Sequence, residues 1–335
     1  MNKNVLMTGI TGMVGSHRAD FLLKNTSWKI YGLCRWRSPL DNVEHLLNLV
    51  NKKKRINFIN ADLNDYSSLI KALEVSKPKY VFHLAAQSYP LTSFTEANLT
   101  LDTNIIGTYN LLNAIKQLKF EPLIHICSSS EVFGKVQKEN LPIDENCSYH
   151  PASPYAISKV GTDLIGRYFY EAFKLKIMVT RMFTHTGPRR GDVFAESSFA
   201  KQIALIEQKK IKPLIKVGNL KSLRTFADVR DAVRAYYLLL TKNPKPGEVY
   251  NIGGTYSCTI GDVLNFLLSQ SKIKNIKIIK DLNRLRPIDA DLQIPNTKKF
   301  STHTGWKPNI KFEKTMKDLL NYWRKRVKNQ NFLDR

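Results

Sequence analysis

The sequence has few cysteines and no long apolar segment. Its 335 residues include only four cysteines, with no close pair and no histidine at the spacing of a metal site. Such thiols are typical of a reducing compartment, and they predict neither a disulfide framework nor a zinc centre. No run approaches the roughly 20 apolar residues that cross a bilayer, and strand-like residues begin at Asn4, which leaves no room for a signal peptide. We therefore expect a cytoplasmic protein with no membrane partner and no bound metal.

Acidic residues are also scarce. The chain has 28 Asp and Glu against 52 Lys and Arg, so its formal net charge is +24. Such an excess can mark a nucleic-acid-binding protein, but here the basic residues are scattered and the densest runs are short. No aromatic-basic recognition motif accompanies them, so we expect no nucleic-acid partner. The charge is typical of a lysine-rich solvated surface, and a positive field would also steer a phosphate-bearing substrate to its site.

No low-complexity linker and no internal repeat divides the chain. Its 43% hydrophobic residues can fill the core of one large α/β unit or of two domains. The first half alternates short β-branched or aliphatic runs with helical patterns, which is typical of a parallel sheet covered by helices. The predicted strands are Asn4–Thr8, Trp28–Cys34, Arg55–Asn60, Tyr80–Ala85, Leu123–Ser128, Ile177–Arg181 and Gly247–Gly253. The predicted helices are Gly15–Lys24, Tyr66–Val75, Leu99–Gln117, Pro154–Lys174, Ser197–Gln208, Ile260–Ser269 and Phe312–Val327.

A glycine-rich segment, TGITGMVG from Thr8 to Gly15, joins the first predicted strand to the first predicted helix. In a dinucleotide-binding fold, Gly9 would allow the tight turn, Gly12 the approach of the pyrophosphate, and Gly15 the close packing of helix and strand. The helix N-terminus would present free N–H groups and partial positive charge to the phosphates. We predict cofactor contacts from Thr8, Gly9, Thr11, Gly12, Met13 and Gly15.

The second predicted strand ends in Cys34-Arg35-Trp36-Arg37-Ser38. An NAD-specific site places an acidic residue here for the ribose hydroxyls, whereas Arg35 and Arg37 suit the additional phosphate of NADP. The alternative is that both arginines belong to a solvated surface. Asp62 and Leu63, after the third strand, are placed to meet the adenine, although an Asp in such a loop could equally cap a helix. The sequence predicts NADP as the cofactor.

Tyr155 and Lys159 lie four residues apart on a predicted helix, so that their side chains share one face. A nearby ammonium would lower the pKa of the tyrosine, as a base that takes a hydroxyl proton near neutral pH requires. A lone pair of this kind is common. Here it follows the glycine-rich segment, the hydroxyl run Ser128–Ser130 and the segment His83–Ala86. We therefore predict that the pair is catalytic.

These motifs resemble those of the extended short-chain dehydrogenases/reductases, and within that superfamily they most resemble the GDP-mannose 4,6-dehydratases. The resemblance covers essentially the whole chain. Beside the glycine-rich segment, it rests on LAAQS at 84–88, SSSEVFGKV at 128–136, SPYAISK at 153–159, HTGPRRG at 185–191, GNL at 218–220 and RP at 286–287.

The resemblance implies a doubly wound parallel sheet of the Rossmann type with a smaller, discontinuous α/β substrate domain. The NADP-binding domain would comprise residues 1–183 and 225–254. The nucleotide-sugar-binding domain would comprise residues 184–224 and 255–335. The family assembles as a homodimer or homotetramer, and the implied contacts are the helices Leu99–Gln117 and Pro154–Lys174. The additional cofactor contacts that the family implies are Leu84, Ala85 and Ala86.

The family's chemistry is a 4,6-dehydration of a nucleotide sugar. By resemblance, Ser129 is the hydroxyl partner of Tyr155, and Glu131 removes the proton at sugar carbon C5. Oxidation of C4 to a ketone acidifies that proton, so a carboxylate can start elimination of the C6 hydroxyl before the hydride returns to C6. Ser130 stands where some dehydratases carry an Asp acid. The alternative for Glu131 is a solvated loop carboxylate.

The implied substrate is GDP-mannose or a related GDP-sugar. Thr184 is a departure, because the family usually has an Asn there that helps to hold the diphosphate, and the preferred sugar therefore stays open. The implied substrate contacts are Ser88, Thr184, Lys201, Arg224, Arg286 and Asp289.

Other functions use parts of the same machinery. A nucleotide-sugar decarboxylase shares the Ser-Glu turn and C4 oxidation but needs an Arg for the substrate carboxylate, and the sequence does not place one. A 4-epimerase or 4-reductase needs Tyr155 and Lys159 but not Glu131. A non-catalytic NADP sensor typically loses the Tyr or the Lys. The sequence favours the dehydratase, because all three residues are present.

Overall fold

The protein is described by a computed structural model that covers residues 3–288 and 290–330. Its strands are β1 (Asn4–Thr8), β2 (Lys29–Cys34), β3 (Ile56–Asn60), β4 (Tyr80–His83), β5 (Leu123–Ser129), β6 (Ile177–Met182), β7 (His185–Thr186), β8 (Leu214–Val217), β9 (Leu223–Asp228), β10 (Val249–Ile252), β11 (Tyr256–Thr259), β12 (Lys277–Lys280) and β13 (Leu292–Gln293). Its α-helices are α1 (Met13–Asn25), α2 (Leu47–Asn51), α3 (Tyr66–Ser76), α4 (Ala97–Leu101), α5 (Gly107–Gln117), α6 (Pro154–Phe173), α7 (Ala195–Glu207), α8 (Val229–Thr241), α9 (Ile260–Ser269), α10 (Lys298–Thr304) and α11 (Phe312–Lys328).

The alternating first half forms a seven-stranded sheet in the order β10-β6-β5-β4-β1-β2-β3, and every neighbouring pair is parallel. Successive side chains of a strand point to opposite faces, so Val5 and Met7 pack with α1 and α8 while Leu6 packs with α3 and α5. Both faces are therefore covered, as a parallel sheet requires. The predicted doubly wound parallel sheet is confirmed.

The second half builds two smaller sheets beside the first. In one, β9 pairs with β11, β13 and β7; in the other, β8 pairs with β12. Helices α7, α9 and α11 share a separate apolar core with these strands, in which Phe199, Leu264 and Leu319 are buried. This unit stands over the carboxyl ends of the large sheet, because β7 follows β6 after two residues.

One boundary of the predicted domains falls inside a strand of the second unit. Residues 225–228, which were predicted to lie with the cofactor domain, belong to β9, whose hydrogen-bonded neighbours are β7, β11 and β13. The chain rejoins the large sheet with α8 and β10. We therefore propose that the second cofactor-domain segment begins at α8.

Several elements lie where no element was predicted, and α8 is the longest of them. Its sequence carries a helical signal, because Ala232, Val233, Tyr236, Leu239 and Leu240 recur at helical spacing and are buried. The predicted helix Leu99–Gln117 is interrupted by a π-helical turn at Asp102–Ile106 between α4 and α5. Within residues 3–288 and 290–330, no helix is long and apolar enough to cross a membrane.

A buried ion pair fixes α6 against the sheet. The guanidinium of Arg181 on β6 lies with its Nε 2.8 Å from Oδ2 of Asp163 on α6, and both side chains are almost fully buried. The hydroxyl of Tyr149 donates to the other carboxylate oxygen at 3.0 Å. Because α6 carries Tyr155 at its N-terminus, this pair positions a predicted catalytic residue relative to the strands.

Candidate active site

A cavity of about 890 Å³ opens where β1 and β4, the strands at which the strand order reverses, end side by side. Ligands of open α/β sheets bind at this switch point. The second unit closes the far side with Phe226 and Ile260. The predicted site residues that line the cavity are Thr8, Gly9, Thr11, Gly12, Met13, Gly15, Arg35, Asp62, Leu63, Leu84, Ala85, Ala86, Ser88, Ser129, Ser130, Glu131, Tyr155, Lys159, Thr184, Arg224 and Arg286.

Two of the described residues that were predicted for the site are not brought to the cavity. Arg37 is exposed and lies off its lining. Lys201 is also off the lining, and its Nζ lies 3.0 Å from Oδ2 of Asp192. Asp289 lies outside the described residues.

The glycine-rich segment leaves the floor of the cavity free of side chains. Gly9 has φ +69°, and a Cβ there would lie 2.9 Å from the backbone of Ala85. A Cβ on Gly15 would overlap the carbonyl oxygen of Gly9. Gly12 is the exposed N-cap of α1 and supplies no side-chain cap, so the first-turn N–H groups face the cavity. This cradle fits a pyrophosphate group.

Thr8 joins the ends of β1 and β4. Its hydroxyl accepts the N–H groups of Leu84 and Ala85, both at 3.0 Å, so these residues leave the strand ladder and β4 ends at His83. The Thr8 hydroxyl therefore donates its own proton to His83 Nδ1, 3.0 Å away. His83 Nε2 carries the ring proton and donates to Thr108 Oγ at 2.9 Å. Burial lowers the pKa of His83 to about 3, so the ring is neutral.

Arg35 and Asp62 lie at the end of the cavity beside β2 and β3. Arg35 is exposed at the rim, where its N–H donates to Ser38 Oγ at 3.1 Å. The alternative role of Asp62 as a helix cap is not realised, because Asp65 is the N-cap of α3 and accepts from the N–H of Ser67. Asp62 Oδ1 instead accepts from Asn64 N–H at 3.0 Å. A carboxylate held in this loop is available to a ligand at the cavity edge.

Ser129, Tyr155 and Lys159 meet at the carboxyl end of β5. The hydroxyl of Ser129 lies near that of Tyr155 and acts to lower the pKa of Tyr155, and it accepts the N–H of Glu131 at 3.2 Å. Lys159 donates from Nζ to the carbonyl of Cys127 at 2.8 Å, with Nζ 6.0 Å from the centre of the Tyr155 ring. All three side chains are buried yet line the cavity.

The expected lowering of the Tyr155 pKa by Lys159 is wrong for this structure. Burial is the largest influence, and it raises the pKa of Tyr155 well above its usual value. The hydrogen bond from Ser129 and the charge of Arg190 act in the opposite direction and only partly offset it. Burial also lowers the pKa of Lys159. Sequence spacing placed the ammonium near the phenol, but it could not reveal how completely the fold removes both from water.

The N-terminus of α6 is held by polar residues that were not predicted. Ser93 Oγ accepts the N–H of Tyr155 at 3.1 Å. Asn104, in the π-helical turn, donates to Ser158 Oγ at 2.8 Å and accepts the N–H of Gln87 at 2.8 Å. Turns of this type are frequent at functional sites. Asn104 shares its buried helical face with Thr100 and Thr108, so no local signal in the sequence distinguished it.

Arg190 and His185 are further cavity residues that were not predicted, although both lie in the quoted HTGPRRG motif. Arg190 stacks on the ring of Phe194, 3.4 Å from its centre, and its Nε lies 3.2 Å from Oε1 of Glu196. Burial, followed by the charge of Arg190, lowers the pKa of His185 to about 4. The structure thus places a cation and a neutral imidazole on the side of the cavity that faces Tyr155.

The end of the cavity beside the second unit is rich in cations. Arg224, Arg284 and Arg286 line it, and Nη1 of Arg286 lies 3.5 Å from Oε1 of Glu131. Planar guanidinium groups in such a cluster match the oxygens of a diphosphate. The cavity therefore combines, from one end to the other, a phosphate cradle, a Ser-Tyr-Lys group, a carboxylate and an arginine cluster.

The sequence and the fold are similar to those of known proteins. A family model described as GDP-mannose 4,6 dehydratase matches residues 6–319. A GDP-6-deoxy-D-mannose reductase of Pseudomonas aeruginosa is 29% identical over 331 residues, covering 98% of this chain and 100% of the relative. The GDP-mannose 4,6 dehydratase of Homo sapiens is 28% identical over 344 residues, covering 94% of this chain and 90% of the relative. The structure of RMD from Pseudomonas aeruginosa complexed with NADPH has a TM-score of 0.81 and 29% identity, covering 97% of this chain and 100% of that one.

The hydrogen bond from Thr8 to His83 requires a neutral imidazole ring, and the neutral state can be tested. Because folding lowers the pKa of His83 to about 3, its contribution to stability is complete above the unfolded value of about 6.5 and is lost as the pH falls toward 3. His83→Gln keeps one donor and one acceptor but does not titrate. Its free energy of unfolding, measured in urea, should fall less steeply below pH ~6 than that of the wild type, by about 1.4 kcal/mol per pH unit. At about pH 8 the two slopes should agree, and parallel slopes at acid pH would contradict a neutral buried ring.

Proposed function

This chain belongs to the GDP-mannose 4,6-dehydratase family, and we propose that it dehydrates GDP-mannose, or a closely related GDP-sugar, to the 4-keto-6-deoxy sugar. The observation that carries the proposal is the position of Glu131. Its carboxylate lines the same cavity as Ser129 and Tyr155, and its backbone N–H is fixed by the Ser129 hydroxyl. A 4-reductase or 4-epimerase has no use for a carboxylate at this point.

The cofactor in this proposal is NADP. When bound, it would take up the C4 hydride and return it to C6, so the cycle would have no net oxidation or reduction. The first-turn N–H groups of α1 would hold the pyrophosphate, and Arg35 would hold the additional phosphate. The structure of RMD complexed with NADPH supports this choice over NAD.

Tyr155 acts on the C4 hydroxyl. As hydride leaves C4, the tyrosinate accepts the hydroxyl proton, while Ser129 orients the oxygen through its own hydrogen bond. Burial disfavours the tyrosinate, whereas the positive charge of Arg190 and the Ser129 hydroxyl favour it.

Glu131 acts after C4 is oxidised. Its carboxylate accepts the C5 proton, which the neighbouring ketone has acidified, and passes it to the C6 hydroxyl, which leaves as water. Ser130, buried at the cavity wall, donates a hydrogen bond to that leaving oxygen. Ser88 and Thr184 bind the sugar, and the arginine cluster binds the diphosphate.

A 4-reductase acting on the dehydrated sugar is the second candidate. It is favoured by the Pseudomonas aeruginosa relative, which is a GDP-6-deoxy-D-mannose reductase. The alignment with that relative covers 98% of this chain at 29% identity. The same Tyr155 and Lys159 would serve it, with Tyr155 donating its proton to the C4 oxygen. A reductase consumes NADPH and releases no water, whereas a dehydratase releases water without net consumption of NADPH. Product mass and cofactor balance therefore separate the two.

Glu131→Gln tests the dehydratase. The wild type should convert GDP-mannose to a product lighter by one water, without net NADPH, and in deuterium oxide the product should gain deuterium at C5. The variant keeps Ser129 and Tyr155, so hydride transfer should continue while elimination slows by ~100- to 10,000-fold. Enzyme-bound NADPH should then accumulate. Stopped-flow spectroscopy measures its absorbance, and mass spectrometry identifies the products.

Two controls accompany that experiment. Tyr155→Phe should abolish the NADPH absorbance itself, and Glu139→Gln, which removes an exposed carboxylate off the cavity lining, should behave as the wild type. Unimpaired dehydration by Glu131→Gln would remove the proposed role of Glu131. Consumption of NADPH with the 4-keto sugar, and no reaction with GDP-mannose, would establish the reductase instead.

Arg35 and Arg37 offer a matched pair for the cofactor. Arg35 lines the cavity and Arg37 does not, although both are exposed. Arg35→Asp should weaken NADP binding much more than NAD binding, because a charge-assisted contact to the additional phosphate becomes a repulsion. Arg37→Asp makes the same change of net charge and should alter both affinities little. Calorimetry measures the four dissociation constants, and equal losses for NADP and NAD in Arg35→Asp would show that this residue does not bind that phosphate.

We also propose that the protein assembles through α4, α5 and α6. Together with the π-helical turn, these helices expose a set of large apolar side chains, each between 44% and 50% exposed, here termed the apolar face: Leu99, Ile106, Tyr109, Ile157, Leu164 and Tyr168. An apolar surface of this kind is typical of a protein–protein interface. The face lies on the two helices that the family resemblance implicates in assembly.

Light scattering tests the assembly. The wild type should have the mass of a dimer or tetramer, and the double variant Ile157→Glu/Leu164→Glu should be a monomer with an unchanged far-ultraviolet spectrum, because charged side chains oppose burial of the face. Val75→Glu, at a 54% exposed position on α3 outside the face, should keep the wild-type mass. A monomeric wild type would contradict the proposal.

A further inference from the structure

Glu131 and Arg286 form an ion pair across the cavity. Glu131 follows β5 of the large sheet, whereas Arg286 belongs to the segment between β12 and β13 of the second unit. The atoms Nη1 and Oε1 are 3.5 Å apart, and the side chains are 24% and 16% exposed. The carboxylate proposed to be the base is thus paired with a cation proposed to bind the substrate.

This pair is a weak one. Its distance lies at the outer limit of a hydrogen bond, and both partners retain contact with water. Exposed pairs of this type contribute little, equivalent to about a two- to fivefold change in an equilibrium constant. A diphosphate carries more negative charge and can accept two parallel N–H bonds from one guanidinium. A diphosphate in the cavity would therefore outcompete Glu131 for Arg286.

The two neighbouring arginines have different partners. Arg284 lies with Nε 3.3 Å from Oδ2 of Asp281, and it donates to Ser198 Oγ at 3.0 Å. Arg224 donates to the backbone carbonyls of Leu223 and Ala290. Arg284 is thus held by groups outside the catalytic cluster. Arg286 differs from them, because its contact with Glu131 joins the arginine cluster to the catalytic carboxylate.

We propose that Arg286 exchanges Glu131 for the substrate diphosphate, so that binding of the nucleotide releases the carboxylate for proton transfer. The inference rests on the proposed function, since it takes Glu131 as the base and a nucleoside diphosphate as the ligand of the arginine cluster. Arg286 is then a positioning residue: it restrains the base through the ion pair and frees it when the diphosphate takes the place of Glu131. The nucleotide must break the contact between Arg286 and Glu131 in order to bind, and this cost reduces its net affinity.

The competition is measurable without catalysis. GDP carries the diphosphate but not the mannosyl group that reacts, so its binding reports on the arginine cluster without turnover. In Glu131→Gln the competitor has lost its charge, and GDP should bind about two- to fivefold more tightly than it binds the wild type. In an Arg286→Gln background the same Glu131→Gln change should have no effect on GDP binding, although Arg286→Gln itself weakens it. Calorimetry on these four proteins, each saturated with NADP, completes a double-mutant cycle.

Two further backgrounds separate a specific exchange from a general effect of charge or fold. Arg284→Gln removes a neighbouring cation that does not pair with Glu131, and in that background Glu131→Gln should still tighten GDP binding by the full factor. Arg286→Lys keeps the charge and should retain part of the coupling. A residue with a merely structural role would give neither pattern.

The outcomes divide clearly. Equal tightening by Glu131→Gln with and without Arg286 would show a general field effect and overturn the exchange, and so would weaker GDP binding in Glu131→Gln. Coupling in the cycle together with no dehydration of GDP-mannose would sustain the exchange and reject the proposed reaction. If GDP does not bind the wild type, the nucleotide class is wrong, and the exchange is rejected with it.

Discussion

The cleft depends on one close contact, which brings the carboxyl ends of β1 and β4 together without a side chain above them. Gly9 leaves the space empty, and the Thr8 hydroxyl supplies the bonds by accepting the N–H groups of Leu84 and Ala85. A hydroxyl can accept two such bonds only if its proton has another partner, and neutral His83 provides it. These backbone groups are therefore satisfied from within the protein, at the point where the two strands meet the cavity.

Local signals in the sequence predicted the large sheet and much of the cleft. The alternation of strands and helices gave strand bounds within two residues of those in the structure, since each strand is a short apolar run between helices. The glycine-rich segment and the Tyr155–Lys159 spacing were equally local, and both reach the cavity. The roles of these residues nevertheless remain predictions. Family resemblance, not spacing, pointed to Arg224 and Arg286, because no local sequence pattern near either residue predicts that the fold brings it to the cavity.

What the sequence did not predict depends on tertiary structure. The pKa of Tyr155 is raised because the fold buries the ring, and burial cannot be read from an interval of four residues. Residues 225–228, predicted to lie with the cofactor domain, form part of β9, and the sequence could not show this because the partners of β9 come from remote parts of the chain. Arg190 lay in a quoted motif, but its ion pair with Glu196 forms only when α7 folds beside it. The high net charge did not predict that three of the arginines, Arg224, Arg284 and Arg286, would line one end of the cavity.

Over the residues that the structure describes, the chain passes between its two units five times: from β6 to β7, from β9 to α8, from β10 to β11, from β13 to α10, and from α10 to α11. A single genetic crossover at any of these points would join elements from one ancestor to the core of another. Exchange of the whole second unit between relatives needs all five junctions at once. Recombination is therefore a poor route to a new ligand in this architecture, and point substitutions along the cleft are the more accessible one.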